Sequence, residues 1–183
     1  MIIKGYQDRD GREFLNASKR EAEHPNDSGV FNEMTTERIL SQDRSLLEEF
    51  IAETRNQCHA VKCLFLALAK DPENKELINT IFMAFHTIKS AAGYLQLTDI
   101  NNLAHAAESL ISMTQKMQLQ FHISHIDLLL EAGYYIVSIV EQVEKTLQGE
   151  GYQRIQGVDS LITHLESSQL ERHCSVEGTT VLQ

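Results

Sequence analysis

The sequence predicts an all-α protein: an antiparallel up-down four-helix bundle with a short extra helix at its C-terminal end. Four successive segments place apolar residues three and four positions apart, the spacing of one helical face. The breaks between them are short, which favours antiparallel neighbours. Proline occurs only at Pro25 and Pro72, and the long proline-free stretch that follows suits helices better than a loop-rich β architecture.

Residues 1–35 are polar, mixed in charge and without an apolar period, and EAEHPNDSG has loop composition. They are expected to form a disordered or weakly ordered lead. The folded unit is assigned to 36–170, with its core at 43–148. The first helix starts near Ser45 and carries Leu47, Phe50, Thr54, Cys58, Val61, Phe65 and Leu68 on one stripe. KDPEN ends it, because proline disfavours helix at the preceding residue. The second helix carries Ile78, Ile81, Phe85, Ile88, Ala92 and Leu95. After a break at Gln96 to Thr98, with Thr98 as expected N-cap, the third carries Ile100, Leu103, Ala107, Leu110, Thr114 and Met117. FHIS makes the next break, with Ser124 as cap. The fourth helix carries Ile126, Leu129, Gly133, Ile136, Val140, Val143 and Leu147. Beyond GEG, Ile155, Val158, Leu161, Ile162 and Leu165 predict a shorter fifth helix, and 171–183 read as a frayed tail.

Composition narrows the function classes. The formal net charge of -10 argues against non-specific nucleic-acid binding and against docking on anionic lipid. Three cysteines without CxxC spacing, Cys58, Cys63 and Cys174, are expected as reduced thiols in a cytoplasmic protein. The start becomes polar too early for a secretory signal, and no run of some 18 apolar residues stands out as a membrane span.

Chemistry concentrates in FMAFHTIKSAAGYLQL and the following AHAAES. His86 directly follows the core position Phe85, so it lies at the edge of the buried stripe. Lys89 and Ser90 stand three and four residues on, one turn away on the same face. Ser90, Ala91, Ala92 and Gly93 form a run of small side chains. Glycine costs a helix about 1 kcal/mol relative to alanine, so Gly93 either ends the helix or keeps the surface low for something that approaches closely. If the second and third helices turn around Leu97, His86 and Glu108 are each eleven residues from the turn, and Lys89 and His105 each eight. That register sets a carboxylate beside His86 and a second imidazole beside Lys89.

The set suits phosphoryl transfer. A neutral imidazole, with pKa about 6.5, is a good nucleophile toward phosphorus near neutral pH. A carboxylate that accepts a hydrogen bond from one ring nitrogen leaves the other nitrogen's lone pair free. An ammonium offsets charge on the phosphoryl oxygens. His86 is therefore the candidate phospho-acceptor, Lys89 the charge stabiliser, Glu108 the orienting group and His105 a helper. Ser90, Ala91 and Gly93 form the candidate partner-docking surface. Taken singly, each residue reads as an ordinary surface or packing side chain; the combination carries the chemistry. A metal-binding bundle through His105, His122 or His125 is weaker, since His122 and His125 straddle a break and no Glu-x-x-His pair matches them. No metal site is expected.

HTIKSAAGYLQL followed by LAHAAESL resembles the histidine-phosphotransfer domain, of the type at the N-terminus of chemotaxis-type histidine kinases. The resemblance covers about 43–148: LLEEFIAET is similar to its first helix and INTIFMAFHTIK to its second. It implies His86 as phospho-acceptor, Lys89 near the phosphate, Glu108 bonding the ring and His105 at the histidine before that glutamate. Ser90 stands where glycine is usual and could crowd the docking surface; Gln96 replaces a common turn glycine, a change expected to be harmless. No ATP-binding character follows the fifth helix, so a phosphoryl carrier is implied rather than a self-sufficient kinase, either free-standing or a fragment of one. Implied partners are response-regulator receiver domains, which would bring Mg²⁺, and a histidine kinase; a monomer is favoured over a dimer. The alternative is a non-catalytic bundle that binds or sequesters a receiver or kinase domain.

Overall fold

The computed structural model describes residues 25–116 and 122–169, and among them six α-helices and no strand. In chain order they are α1 (Pro25–Leu40), α2 (Arg44–Leu68), α3 (Lys75–Tyr94), α4 (Thr98–Gln115), α5 (Ile123–Leu147) and α6 (Val158–Ser167). Helices α2 to α5 are the four predicted from the stripes, and α6 is the predicted short one. Residues 1–24, the tail 171–183, Met117 and Cys174 lie outside the described residues.

Local chemistry sets several helix ends. The Asp43 carboxylate accepts from the Leu46 N–H at 3.2 Å and Asn74 Oδ1 from the Leu77 N–H at 3.1 Å, each occupying an orphan donor of a first turn. The expected caps Thr98 and Ser124 do not serve: Thr98 is already the first residue of α4, and α5 begins after His122, whose N–H donates to His125 Nδ1 at 3.1 Å. Helix α3 closes in a Schellman arrangement, with the Leu97 N–H on the Ala92 carbonyl and the Gln96 N–H on that of Gly93. This motif requires a left-handed residue, and Gln96 takes it with φ 55°. The glycine-to-glutamine difference expected to be harmless therefore carries backbone strain.

The stripes pack as one core. Every predicted stripe residue of α3 is buried, as are Leu47, Phe50, Thr54, Val61, Phe65 and Leu68 on α2. Full burial of each large apolar side chain contributes about 1.5–3 kcal/mol. Contacts run α2–α3, α3–α4, α4–α5 and α5–α2, closing a ring, with α6 against α4 and α5. The pairings Asn79–Gln115, His86–Glu108 and Lys89–Asn101 descend α4 as they ascend α3, so these two helices are antiparallel.

Two expectations need correction. The lead is helical from Pro25, as α1. Its inward face is mostly polar, which hides it from a search for apolar periodicity: Phe31, Asn32, Thr35, Thr36 and Ile39 face in, while Val30, Met34 and Leu40 are exposed. Docking supplies what propensity does not. Asn32 Oδ1 and Thr36 Oγ1 accept from the Arg154 and Tyr152 N–H groups, and the Arg154 guanidinium lies 4.9 Å from the Phe31 ring centroid. Arg154 in turn grips Asp99 through two bonds of 3.1 Å. Second, α5 is long and apolar enough, by length and composition, to cross a membrane. Its apolar side instead supplies bundle core through Leu129, Ile136, Ile139, Val140 and Val143.

Candidate functional site

The site sits on the α3–α4 seam. His86 Nδ1 lies 3.0 Å from Glu108 Oε1, and the Lys89 ammonium pairs with Glu108 Oε2. Both Cα–Cβ bonds tilt toward their own helix N-terminus. In an antiparallel pair Lys89 therefore leans toward the level of His86 while Glu108 leans toward that of Lys89, and the two meet between. This tilt also explains a departure from the sequence register. His105 is level with Lys89 but exposed, and no hydrogen bond or ion pair joins it to His86, Lys89 or Glu108.

Burial grades the three groups. The Glu108 side chain is 12% exposed, Lys89 24% and His86 46%. Burial pushes the Glu108 carboxyl up, but hydrogen bonds from Lys89 and His86 and their charges outweigh it and hold it below the ordinary carboxylate value. Glu108 is thus an anion at neutral pH, and an anionic carboxylate only accepts. In the neutral imidazole the proton therefore sits on Nδ1, which leaves the Nε2 lone pair free. Phe82 covers one side of the imidazole, with ring centroids 6.0 Å apart and planes inclined by 18°.

The small-residue surface is open in part. Ser90 and Gly93 are exposed and Ala91 is half-buried. Ser90 Oγ donates to the His86 carbonyl at 2.8 Å, which folds the hydroxyl back onto its own helix. Gly93 does not end α3, which runs on to Tyr94. What approaches it is Asn101: a Cβ on Gly93 would meet Asn101 Nδ2 at 3.0 Å, and that nitrogen donates to the Lys89 carbonyl at 2.8 Å. Asn101 escaped the sequence reading, although it lies four residues after Leu97, level with Gly93 four residues before it.

The family model described as Hpt domain matches residues 45–167.

This chain belongs to the Hpt domain family.

Over 99 residues, 54% of its length, the chain is 26% identical to the chemotaxis protein CheA of Treponema pallidum (strain Nichols). Over 97 residues, 53% of its length, it is 27% identical to CheA of Bacillus subtilis (strain 168). The matched parts are only 12% and 14% of those two proteins, so the chain spans a small part of their length. Among solved structures, the phosphorylated P1 domain of CheA3 in complex with CheY6 from R. sphaeroides shares this fold. Its TM-score is 0.60 at 19% identity, covering 70% of this chain and 98% of that one.

Among the described residues no group of three or more His, Cys, Asp or Glu side chains could hold a metal ion. His122 and His125 instead lie ring to ring, with centroids 5.6 Å apart, at the start of α5.

Proposed function

We propose that this Hpt domain is a phosphoryl carrier: His86 accepts a phosphoryl group on Nε2 from one protein and returns it to a receiver aspartate on another. The carrying observation is the Glu108 carboxylate at 3.0 Å from Nδ1 of a half-exposed imidazole, which in the neutral ring fixes the proton on Nδ1 and the lone pair on Nε2. In the forward step the Nε2 lone pair forms the N–P bond while the P–O bond to the donor aspartate breaks, its electrons staying on the aspartate carboxylate. The positive charge then shared by the ring is stabilised by Glu108 through Nδ1–H. Lys89 has one N–H on Glu108 and two others for phosphoryl oxygens. In the reverse step the receiver carboxylate attacks phosphorus and Nε2 leaves as the neutral imidazole.

No general base is needed, since the attacking nitrogen carries no proton. Mg²⁺ would come with the receiver's own acidic site, and no residue of this chain is assigned to hold it. The role implies receiver domains and a histidine kinase as partners, a cytoplasmic location and a monomeric carrier. The complex of CheA3 P1 with CheY6 is the likeness that supports a receiver as partner.

The test mixes acetyl-phosphate-charged receiver domains with the chain and with its His86→Gln form. Acid-labile, base-stable label on the wild type alone is the expected result. Absence of label from every receiver, and from a kinase supplied in trans, would instead favour a bundle that only binds or sequesters its partner.

A further inference from the structure

The α2–α5 seam lies across the helix ring from the α3–α4 seam that holds His86. There the two helices part to leave a groove of ≈ 420 Å³, within the range of about 300–1,000 Å³ seen for small-molecule sites. Its floor is apolar: Val61, Phe65 and Leu129 are buried core residues. Gly133 also lines it, and a Cβ there would meet nothing within 4 Å. Glycine weakens a helix interior relative to alanine, yet neither a positive φ nor a close neighbour requires it here. The missing side chain deepens the groove.

The rim carries basic side chains. Arg55, His59 and Lys62 follow one another at four and three residues, on one face of α2. No acidic residue lines the groove, although the chain has 26 Asp and Glu against 16 Lys and Arg. Arg55 is neutralised by Glu144. His59 and Lys62 are exposed and make no hydrogen bond or ion pair among the described residues. Two uncommitted basic side chains one turn apart suit a single anionic head group. A row of acids on a partner helix would call on Arg55 as well, which Glu144 already holds.

We propose that the α2–α5 groove binds a small amphiphilic carboxylate, its aliphatic chain lying over Gly133 and its carboxylate between His59 and Lys62. This site is separate from His86 and does not depend on phosphotransfer.

The test titrates the full chain with sodium dodecanoate below its micellar concentration, by calorimetry and by ¹H–¹⁵N chemical-shift mapping. Saturable one-to-one binding is expected, with shifts concentrated at residues 55–65 and 129–137. Gly133→Leu, which fills the groove, should weaken binding about tenfold or more, the loss of roughly one decade in Kd. Lys62→Glu should weaken it as well, and neutral dodecyl maltoside should bind less tightly than dodecanoate. If Gly133→Leu disturbs the helical spectrum, shift mapping on the wild type and on Lys62→Glu decides. Absence of saturable binding, shifts centred elsewhere, or unaltered affinity in folded Gly133→Leu would overturn the proposal. So would binding of an acidic amphipathic peptide with none of dodecanoate.

Discussion

The Asn101 side chain crosses the α3–α4 seam to donate to the Lys89 carbonyl at 2.8 Å, and it can do so because Gly93 leaves the space open. The bond ties the backbone carrying Lys89 to the helix carrying Glu108. Asn101→Ala should cost about 0.5–1.5 kcal/mol, the worth of one such bond. In that background Gly93→Ala should stabilise by about 1 kcal/mol through helix propensity. In the wild type the same change must displace Asn101, and the gain should largely vanish. A double-mutant cycle by urea denaturation reads this coupling. Strict additivity would show that Asn101 does not depend on the bare backbone at position 93.

Glu108 holds the imidazole by one oxygen and the ammonium by the other. In Glu108→Ala, Nδ1 loses the acceptor that fixes its proton, and Lys89 loses its anchor. Phosphotransfer should fall about tenfold or more without vanishing, by the measure of other groups that orient a histidine from behind. Rapid-quench transfer from a charged receiver measures the rate. An unchanged rate in the folded variant would remove the orienting role, while His86→Gln should leave no transfer at all.

The same carboxylate predicts an acid dependence of stability. Its proton is held less tightly in the folded chain than in the unfolded one, where the pKa is about 4.3. The contribution of Glu108 is therefore fully present above that value and is lost as pH falls through the lower, folded one. Denaturation midpoints of the wild type and of Glu108→Gln, taken from about pH 5 down to pH 3, should converge as the solution is acidified. A gap that stays constant or widens on acidification would mean that Glu108 is not held down by its partners.

Gln96 is the most direct case of strain. It occupies the left-handed position of the α3 C-terminus at φ 55°, where L side chains crowd the following carbonyl. Gln96→Gly relieves that crowding but also loosens the unfolded chain, which returns part of the gain. The net expectation is a stabilisation of about 0.5–1 kcal/mol, read as a shift of urea midpoint at constant slope. Destabilisation would indicate that the Gln96 side chain holds the turn in some other way.

Much of this was legible in the sequence because a helix buried on one side must repeat its apolar residues. The stripes of α2 to α5 met that condition, and counting residues out from Leu97 paired His86 with Glu108. The same count set His105 against Lys89, since residue levels ignore the lean of long side chains; the lean brings Lys89 to Glu108 instead. Helix α1 escaped because Asn32, Thr35 and Thr36 form much of its inner face, and polar groups carry no apolar period. Asn101 escaped because an amide that bonds a carbonyl across a seam looks, in sequence, like any exposed amide.

Arg154 joins the parts that the stripes do not. Its two bonds to Asp99, two more to Asp159 at 2.8 Å and its position over Phe31 connect α1, the loop before α6, α6 and the first turn of α4. Hydrogen bonding to Asp99 is the largest influence on the guanidinium and outweighs burial, so the charged form is favoured further. Asp99 is buried, and removing the arginine would leave its carboxylate without its main partner. Arg154→Ala should cost about 2 kcal/mol, and Asp99→Asn in that background should restore part of it, because the stranded charge is then gone. Amide exchange should rise first in α1, which docks through Asn32, Thr36 and Phe31, and least in α3. Equal acceleration in both helices would mean that Arg154 supports the whole bundle and not the docking of α1.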